Sequence, residues 1–148
     1  MPAPIDILFL CTGNSCRSHM AEAFCRAIHS DRLRAHSAGI IAKGLNPHML
    51  TVMREVGIDP ALHQTSKTLA SVLAAGVSLD VVVTVCGHAH ETCPVFPGGR
   101  TRVVHIGFDD PPELAKDAAT PDEALGHYRR VRDEIRAMIR ELPARLAG

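Results

Sequence analysis

Cys11 and Arg17 are the first residues whose types and spacing suggest chemistry. The segment Cys11-Thr12-Gly13-Asn14-Ser15-Cys16-Arg17-Ser18 places a thiol at the end of an apolar run, an arginine further along, and a helical pattern directly behind it. A tight loop running into a helix aims backbone N–H groups at one spot, and the helix dipole adds partial positive charge there. Arg17 supplies a permanently charged, bidentate fork. That combination suits a tetrahedral oxyanion, and the same field lowers the pKa expected of the Cys11 thiol. Gly13 and Asn14 tolerate the left-handed backbone such a loop requires. Ser18 stands where its hydroxyl can donate to the Cys11 sulfur, and Thr12, Ser15 and Cys16 complete the candidate anion loop. The segment lacks the three spaced glycines of a dinucleotide fingerprint and the Gly-Lys-Ser/Thr of a nucleotide P-loop. Taken as an isolated pair, Cys11 also fits a small buried residue at a strand end and Arg17 a surface charge.

The elements that must position this loop alternate in type. Ile5–Leu10 reads as a buried strand. A helix follows from Ser18 to about Ile28, with Met20, Ala23, Phe24, Ala27 and Ile28 on one face. Leu33–Ala38 is a second strand. Asn46 caps a helix that Pro47 opens and Gly57 closes, and a short helix is predicted over Lys67–Ala75, capped by Thr65 or Ser66. Asp80–Val85 is a β-branched strand and Arg102–Ile106 a fourth. Thr120, Pro121 and Glu123 form a capping-box start for a last helix that Pro143 is expected to end. This order predicts an α/β fold: a doubly wound four-stranded parallel sheet, strand order 2-1-3-4, flanked by helices. In such sheets ligands bind beyond the carboxyl ends of the strands, where the order reverses, which is where Cys11 falls.

Two other segments leave the sheet at that edge. Cys86 is placed at the end of strand three, with Cys93 seven residues later. These thiols read either as inert or, together with His88 and His90, as four soft ligands of the kind structural zinc uses, although the spacing is unlike paired zinc knuckles. Asp109 and Asp110, ahead of Pro111, follow strand four and read as an acidic turn or as a source of a proton, with Asp110 the stronger candidate. Arg129, Arg130, Arg132, Arg136 and Arg140 on the last helix read as a solvated face.

Composition narrows the classes. The chain has 148 residues, enough for one domain, 1–148, with a substantial core. Sixteen Lys and Arg balance sixteen Asp and Glu, and with no Trp and one Tyr there is neither the field nor the stacking platform of a nucleic-acid binder. No apolar run is long enough to cross a bilayer. Five cysteines, an odd count, behind an N-terminus with no basic leader point to a reducing, cytoplasmic setting rather than a disulfide framework.

The run Ile7–Ser18, continued by Met20-Ala21-Glu22-Ala23, resembles the anion loop of the low-molecular-weight tyrosine phosphatase superfamily, and is most similar to its thioredoxin-coupled arsenate reductases. Ser37-Ala38-Gly39 and Val131–Ile135 extend the resemblance over nearly the whole chain. It implies that Cys11 attacks arsenate, that Thr12–Ser18 bind it with Arg17, that Asp110 protonates the departing oxygen, and that a Cys11–Cys86–Cys93 disulfide relay passes two electrons from reduced thioredoxin. It also implies no bound cofactor or metal, a monomer, and arsenate and thioredoxin as partners, with no nucleic acid or membrane. Some relatives bind potassium at positions matching Asn14, Glu22 and Ser37; a further ligand position holds Lys67 here, so no potassium dependence is expected. The alternative within the resemblance is a low-molecular-weight protein tyrosine phosphatase, against which stand Cys86, Cys93, His19 and the scarcity of aromatic side chains.

Overall fold

The computed structural model describes residues 4–93, 96 and 100–147. Four strands, β1 (Ile5–Cys11), β2 (Leu33–Gly39), β3 (Val81–Thr84) and β4 (Arg102–His105), form one sheet of order β2-β1-β3-β4. Every pairing is parallel, with Leu10 opposite Ala38 and Thr84, and Thr84 opposite His105. The doubly wound order read from the alternation is therefore the observed one. It puts the ends of β1, β3 and β4 side by side, so the loops bearing Cys11, Cys86 and Asp110 leave from neighbouring points.

Six α-helices connect and cover the sheet: α1 (Arg17–His29), α2 (Pro47–Glu55), α3 (Leu69–Ala74), α4 (Gly87–Thr92), α5 (Pro111–Ala115) and α6 (Pro121–Ala147). The strand cores Ile7–Leu10 and Val82–Val83 are fully buried and pack with Met20, Phe24, Val131, Ile135 and Ile139. Asn46 caps α2 as expected, its side chain accepting from the amides of His48 and Met49, and Gly57 at φ +82° ends it.

Four expectations are corrected. α3 begins at Leu69 and is capped by Thr68, whose hydroxyl accepts from Ser71 N at 3.1 Å. Ser66, one of the expected caps, is occupied elsewhere: its hydroxyl donates to Asn14 O at 2.7 Å and accepts from Gly44 N at 3.0 Å. Cys86 lies two residues beyond the end of β3, not at it, and caps α4. α6 does not stop at Pro143 but continues to Ala147. A proline inside a helix orphans the carbonyl four residues earlier, here that of Ile139. His29 Nε2 donates to that oxygen at 2.7 Å, so a side chain from the end of α1 replaces the missing bond.

The arginines of α6 are the fourth correction. Arg129 and Arg132 pair with Glu55 of α2, Arg132 also donates to Val52 O, and Arg130 bridges Glu134 and Asp109. The face is partly laced to α2 and to the β4–α5 loop, with Arg132 buried, while Arg130 and Arg140 are exposed as expected. Among the described residues no helix is long and apolar enough to cross a membrane.

Candidate active site

The loop between β1 and α1 is shaped from outside. The segment after β2 runs alongside it and takes its carbonyls: Ile40 N donates to Cys11 O (3.2 Å), Ile41 N to Thr12 O (3.0 Å), Lys43 N to Gly13 O (2.8 Å) and Asn46 N to Ser15 O (3.0 Å). Asn14 O accepts from Ser66 Oγ and from His19 Nε2 at 3.0 Å. In a trans peptide the next N–H points opposite to the C=O. Five carbonyls turned outward therefore turn the amides of residues 12–16 toward the pocket. Asn14 carries the one left-handed non-glycine backbone among the described residues, φ +44°, and its two carbonyl partners hold it there.

Gly39 is what lets the two segments lie so close. A Cβ at this position would stand 2.2 Å from Ile41 O, 2.6 Å from Asn14 N and 2.9 Å from Gly13 C, all of them backbone atoms. The glycine that ends β2 is thus required by the close approach of the Gly13–Asn14 peptide.

The pocket encloses about 230 Å³ and is lined by Cys11, Thr12, Gly13, Ser15, Cys16, Arg17, Lys43, Asn46, Asp110 and Pro112. No aromatic ring lines it, and the volume is below the roughly 300–1,000 Å³ of pockets that take drug-sized molecules. α1 enters it with no side-chain cap and no acidic residue in its first turn, so its N-terminal amides are left for an anion.

At the floor, Cys11 Sγ lies 2.9 Å from Ser18 Oγ. Lys67 N donates to Asn14 Oδ1 at 2.8 Å, which fixes the amide's orientation, and Asn14 Nδ2 donates to Ser18 Oγ at 2.9 Å. Ser18 spends one of its two acceptor sites on Asn14, and its own proton is free of that bond. Burial pushes the neighbouring Cys16 thiol well above its ordinary pKa, so Cys16 stays neutral beside Cys11. Above them Arg17 Nη1 donates to Phe108 O at 3.0 Å, and Nη2 stands 3.6 Å from the half-exposed Asp110 carboxylate. Asp109 faces away, 3.0 Å from Arg130.

The second thiol touches the loop from outside the residues that line the pocket. Cys86 is buried, its Sγ 3.3 Å from Thr12 Oγ1, and it accepts the Ala89 amide at the start of α4. Cys93, half-buried, closes that helix at its other end. All five cysteines are free thiols. The zinc alternative includes His90, whose side chain lies outside the described residues; among the described residues no three His, Cys, Asp or Glu gather as metal ligands.

Beneath the loop is a buried polar layer; the sequence offered Glu22, Ser37 and Lys67 only as matches to a cation position, and Gln64 not at all. His19, Glu22, Ser37 and Gln64 are buried. Glu22 accepts from Ser37 Oγ and Arg26 Nη2, both at 2.6 Å. His19 must donate through Nε2 to the Asn14 carbonyl, so its Nδ1 accepts from Gln64 Nε2 at 2.9 Å. Burial first, then the charge of Lys67, pulls the His19 pKa down to about 4. Lys67 is itself half-buried, its Nζ donating to Thr65 O. Lys43 and Pro112 were also missed, since only the three-dimensional course of two loops brings them to the pocket.

Comparison with known proteins agrees with this geometry. The family described as low molecular weight phosphotyrosine protein phosphatase matches residues 6–148. An arsenate reductase of Halalkalibacterium halodurans is 49% identical over 129 residues, 87% of this chain and 88% of that protein. A solved arsenate reductase in its phosphate-binding state superimposes with a TM-score of 0.73 at 26% identity, covering 95% of this chain and 98% of the other. An arginine phosphatase from Geobacillus stearothermophilus gives a TM-score of 0.72 at 27% identity, covering 97% and 94%.

Two outcomes follow. Gly39→Ala is expected to cost about 1–3 kcal/mol of stability by overpacking and to weaken inorganic phosphate binding, read by thermal unfolding and calorimetry; a variant matching wild type in both contradicts the close approach. Unfolded His19 takes up its proton from about pH 6.5 downward and folded His19 only near pH 4, so the folded state holds fewer protons between them and stability falls as pH drops through that window. The contribution is on the order of 3 kcal/mol. His19→Gln keeps a donor for the Asn14 carbonyl but cannot titrate, so its urea midpoint should decline less steeply over that range. Parallel declines would refute the assignment.

Proposed function

The chain belongs to the low molecular weight phosphotyrosine protein phosphatase family, and from that premise we propose that this protein is a single-domain arsenate reductase, turning arsenate to arsenite with electrons from thioredoxin. The observation that carries the reading is the contact between Cys86 Sγ and Thr12 Oγ1. It puts a second thiol against the residue that follows Cys11, and hydrolysis has no use for one. Reduction of As(V) to As(III) needs two electrons, which a dithiol supplies on becoming a disulfide.

In the proposed sequence Cys11 Sγ attacks arsenic while the amides of residues 12–16 and the Arg17 fork hold the oxygens. Asp110 gives a proton to the oxygen that leaves as water. Arg17 rests against Asp110 and the Phe108 carbonyl, so both groups already face the pocket. Cys86 then attacks Cys11 Sγ: the S–S bond forms, the electron pair of the S–As bond stays on arsenic, and arsenite departs. Cys93 attacks Cys86 Sγ and releases Cys11 as thiolate. The Cys86–Cys93 disulfide is left for the dithiol of thioredoxin, and no bound cofactor is required.

The third step requires α4 to unwind. Cys86 and Cys93 cap its two ends, and seven residues of helix separate Cα atoms by about 10 Å, whereas a disulfide needs roughly 4.4–6.8 Å. α4 suits this demand, being six residues long with a glycine first, well short of the roughly 12–15 residues at which isolated helices become marginally stable. Cys86 Sγ also accepts the Ala89 amide, and converting that sulfur to a disulfide weakens the cap. We also propose a cytoplasmic setting, which the free thiols support, and a monomer without nucleic acid or membrane partners.

The phosphatase reading has the shared fold and the arginine phosphatase neighbour in its favour. The assays separate them: NADPH oxidation with arsenate, thioredoxin and thioredoxin reductase against aryl phosphate hydrolysis without reductant. Cys93→Ser should release one arsenite per protein and then stop with a trapped Cys11–Cys86 disulfide, and Cys86→Ser should release none; steady turnover by Cys93→Ser would remove the relay. Half-buried Lys67 adds its positive charge to that of Arg26 around Glu22 in the layer under the loop, so exchanging sodium for potassium should leave turnover unchanged. Potassium activation would overturn that.

A further inference from the structure

Lys43 has no part in the scheme above, yet it lines the anion pocket. Three features fix it there. Its amide donates to Gly13 O at 2.8 Å, so its backbone is tied to the anion loop itself. Its side chain runs over Gly13: a methyl group on Gly13 would stand 2.9 Å from Lys43 Cδ and 3.2 Å from Cγ. The absent side chain of Gly13 is the groove in which the lysine stem lies. No carboxylate pairs with its ammonium among the described residues, whereas the pocket's other cation, Arg17, rests beside Asp110.

We propose that Lys43 is a specificity-determining residue, a second cation at the pocket mouth that selects doubly charged tetrahedral oxyanions over singly charged ones. This rests on the reading that the pocket takes such an anion. Coulomb attraction scales with the ligand's charge, so a fixed ammonium favours a dianion twice as strongly as a monoanion at the same position. Arg17 contributes to the same discrimination, and Lys43 adds a second charge with no carboxylate paired to it among the described residues. Lys43 is exposed, so its contribution is the kind that salt screens. Its role is in binding and capture, and its loss belongs in KM rather than kcat.

The test uses the reduced full-length protein and inorganic phosphate, with affinity read by calorimetry, and needs no turnover. At low ionic strength Lys43→Met should bind phosphate about fivefold more weakly than wild type, and Lys43→Arg should stay within about twofold. In about 0.5 M sodium chloride the gap between Met variant and wild type should largely close. In the coupled assay Lys43→Met should raise KM for arsenate by a similar factor with kcat nearly constant. Equal phosphate affinities overturn the proposal. So does a gap that persists undiminished in high salt, or an arginine variant as weak as the methionine one, because either assigns the loss to the packing over Gly13 rather than to charge. If wild type itself binds no phosphate, the reading of the pocket as an oxyanion site falls, and this inference with it.

Discussion

The carbonyl oxygens of Cys11, Thr12, Gly13, Asn14 and Ser15 are all taken by donors outside their own loop, and the catalytic possibilities of the molecule follow from that constraint. A peptide plane anchored by its oxygen on one side has to offer its hydrogen on the other. The anion cradle is therefore built before any anion arrives, by the segment after β2 and by Ser66 and His19. Preorganised dipoles of this kind need no rearrangement when charge develops on the substrate. The same anchoring explains why an unstrained glycine is needed at Gly39, in another strand, for a site centred on Cys11.

Much of this was legible in the residues. The strand order followed from alternation and handedness, and the ends of β1, β3 and β4 follow from the order. The helix caps at Asn46 and Thr120 announced themselves through side chains that hydrogen-bond locally. What resisted reading was nonlocal. Pro143 is a helix terminator by every local rule, and α6 passes it because His29, more than a hundred residues earlier, covers one carbonyl. α4 carries a weak helical pattern, six residues with a glycine at the start, and is organised by a cysteine sulfur as cap. Lys43 has no sequence neighbour that marks it.

The N-terminal half of α1 shows the same division. An amphipathic stripe predicted Met20, Ala23, Phe24, Ala27 and Ile28 on one buried face; the first three are buried, whereas Ala27 and Ile28, in the last turn, are exposed. But Ser18, His19 and Glu22 are buried too, so this stretch has no solvent face. Their burial is tolerable because each is bonded: Ser18 to Asn14, His19 to Asn14 and Gln64, Glu22 to Ser37 and Arg26. A polar layer inside a helix–sheet interface costs stability that an apolar one would not. Two of its members, Ser18 and His19, bond Asn14, the residue whose left-handed backbone bends the anion loop. The departure from simple patterning thus lies directly under the site, where a conflict between local pattern and fold is expected.

The fold does not decide between hydrolysis and reduction, since both chemistries begin with a thiolate in an amide cradle. The difference is made one strand away. β3 pairs with β1 so that Thr84 lies opposite Leu10, and two further residues bring Cys86 to the Thr12 hydroxyl. Placing that sulfur at the cap of a short helix would resolve an opposing requirement of the proposed relay, in which Cys86 is buried to meet Cys11 and exposed to meet a protein reductant. A rigid element could satisfy one of these. A six-residue helix capped by the sulfur itself could satisfy both in turn, because oxidation of Cys86 would also weaken the bond it accepts from Ala89 N.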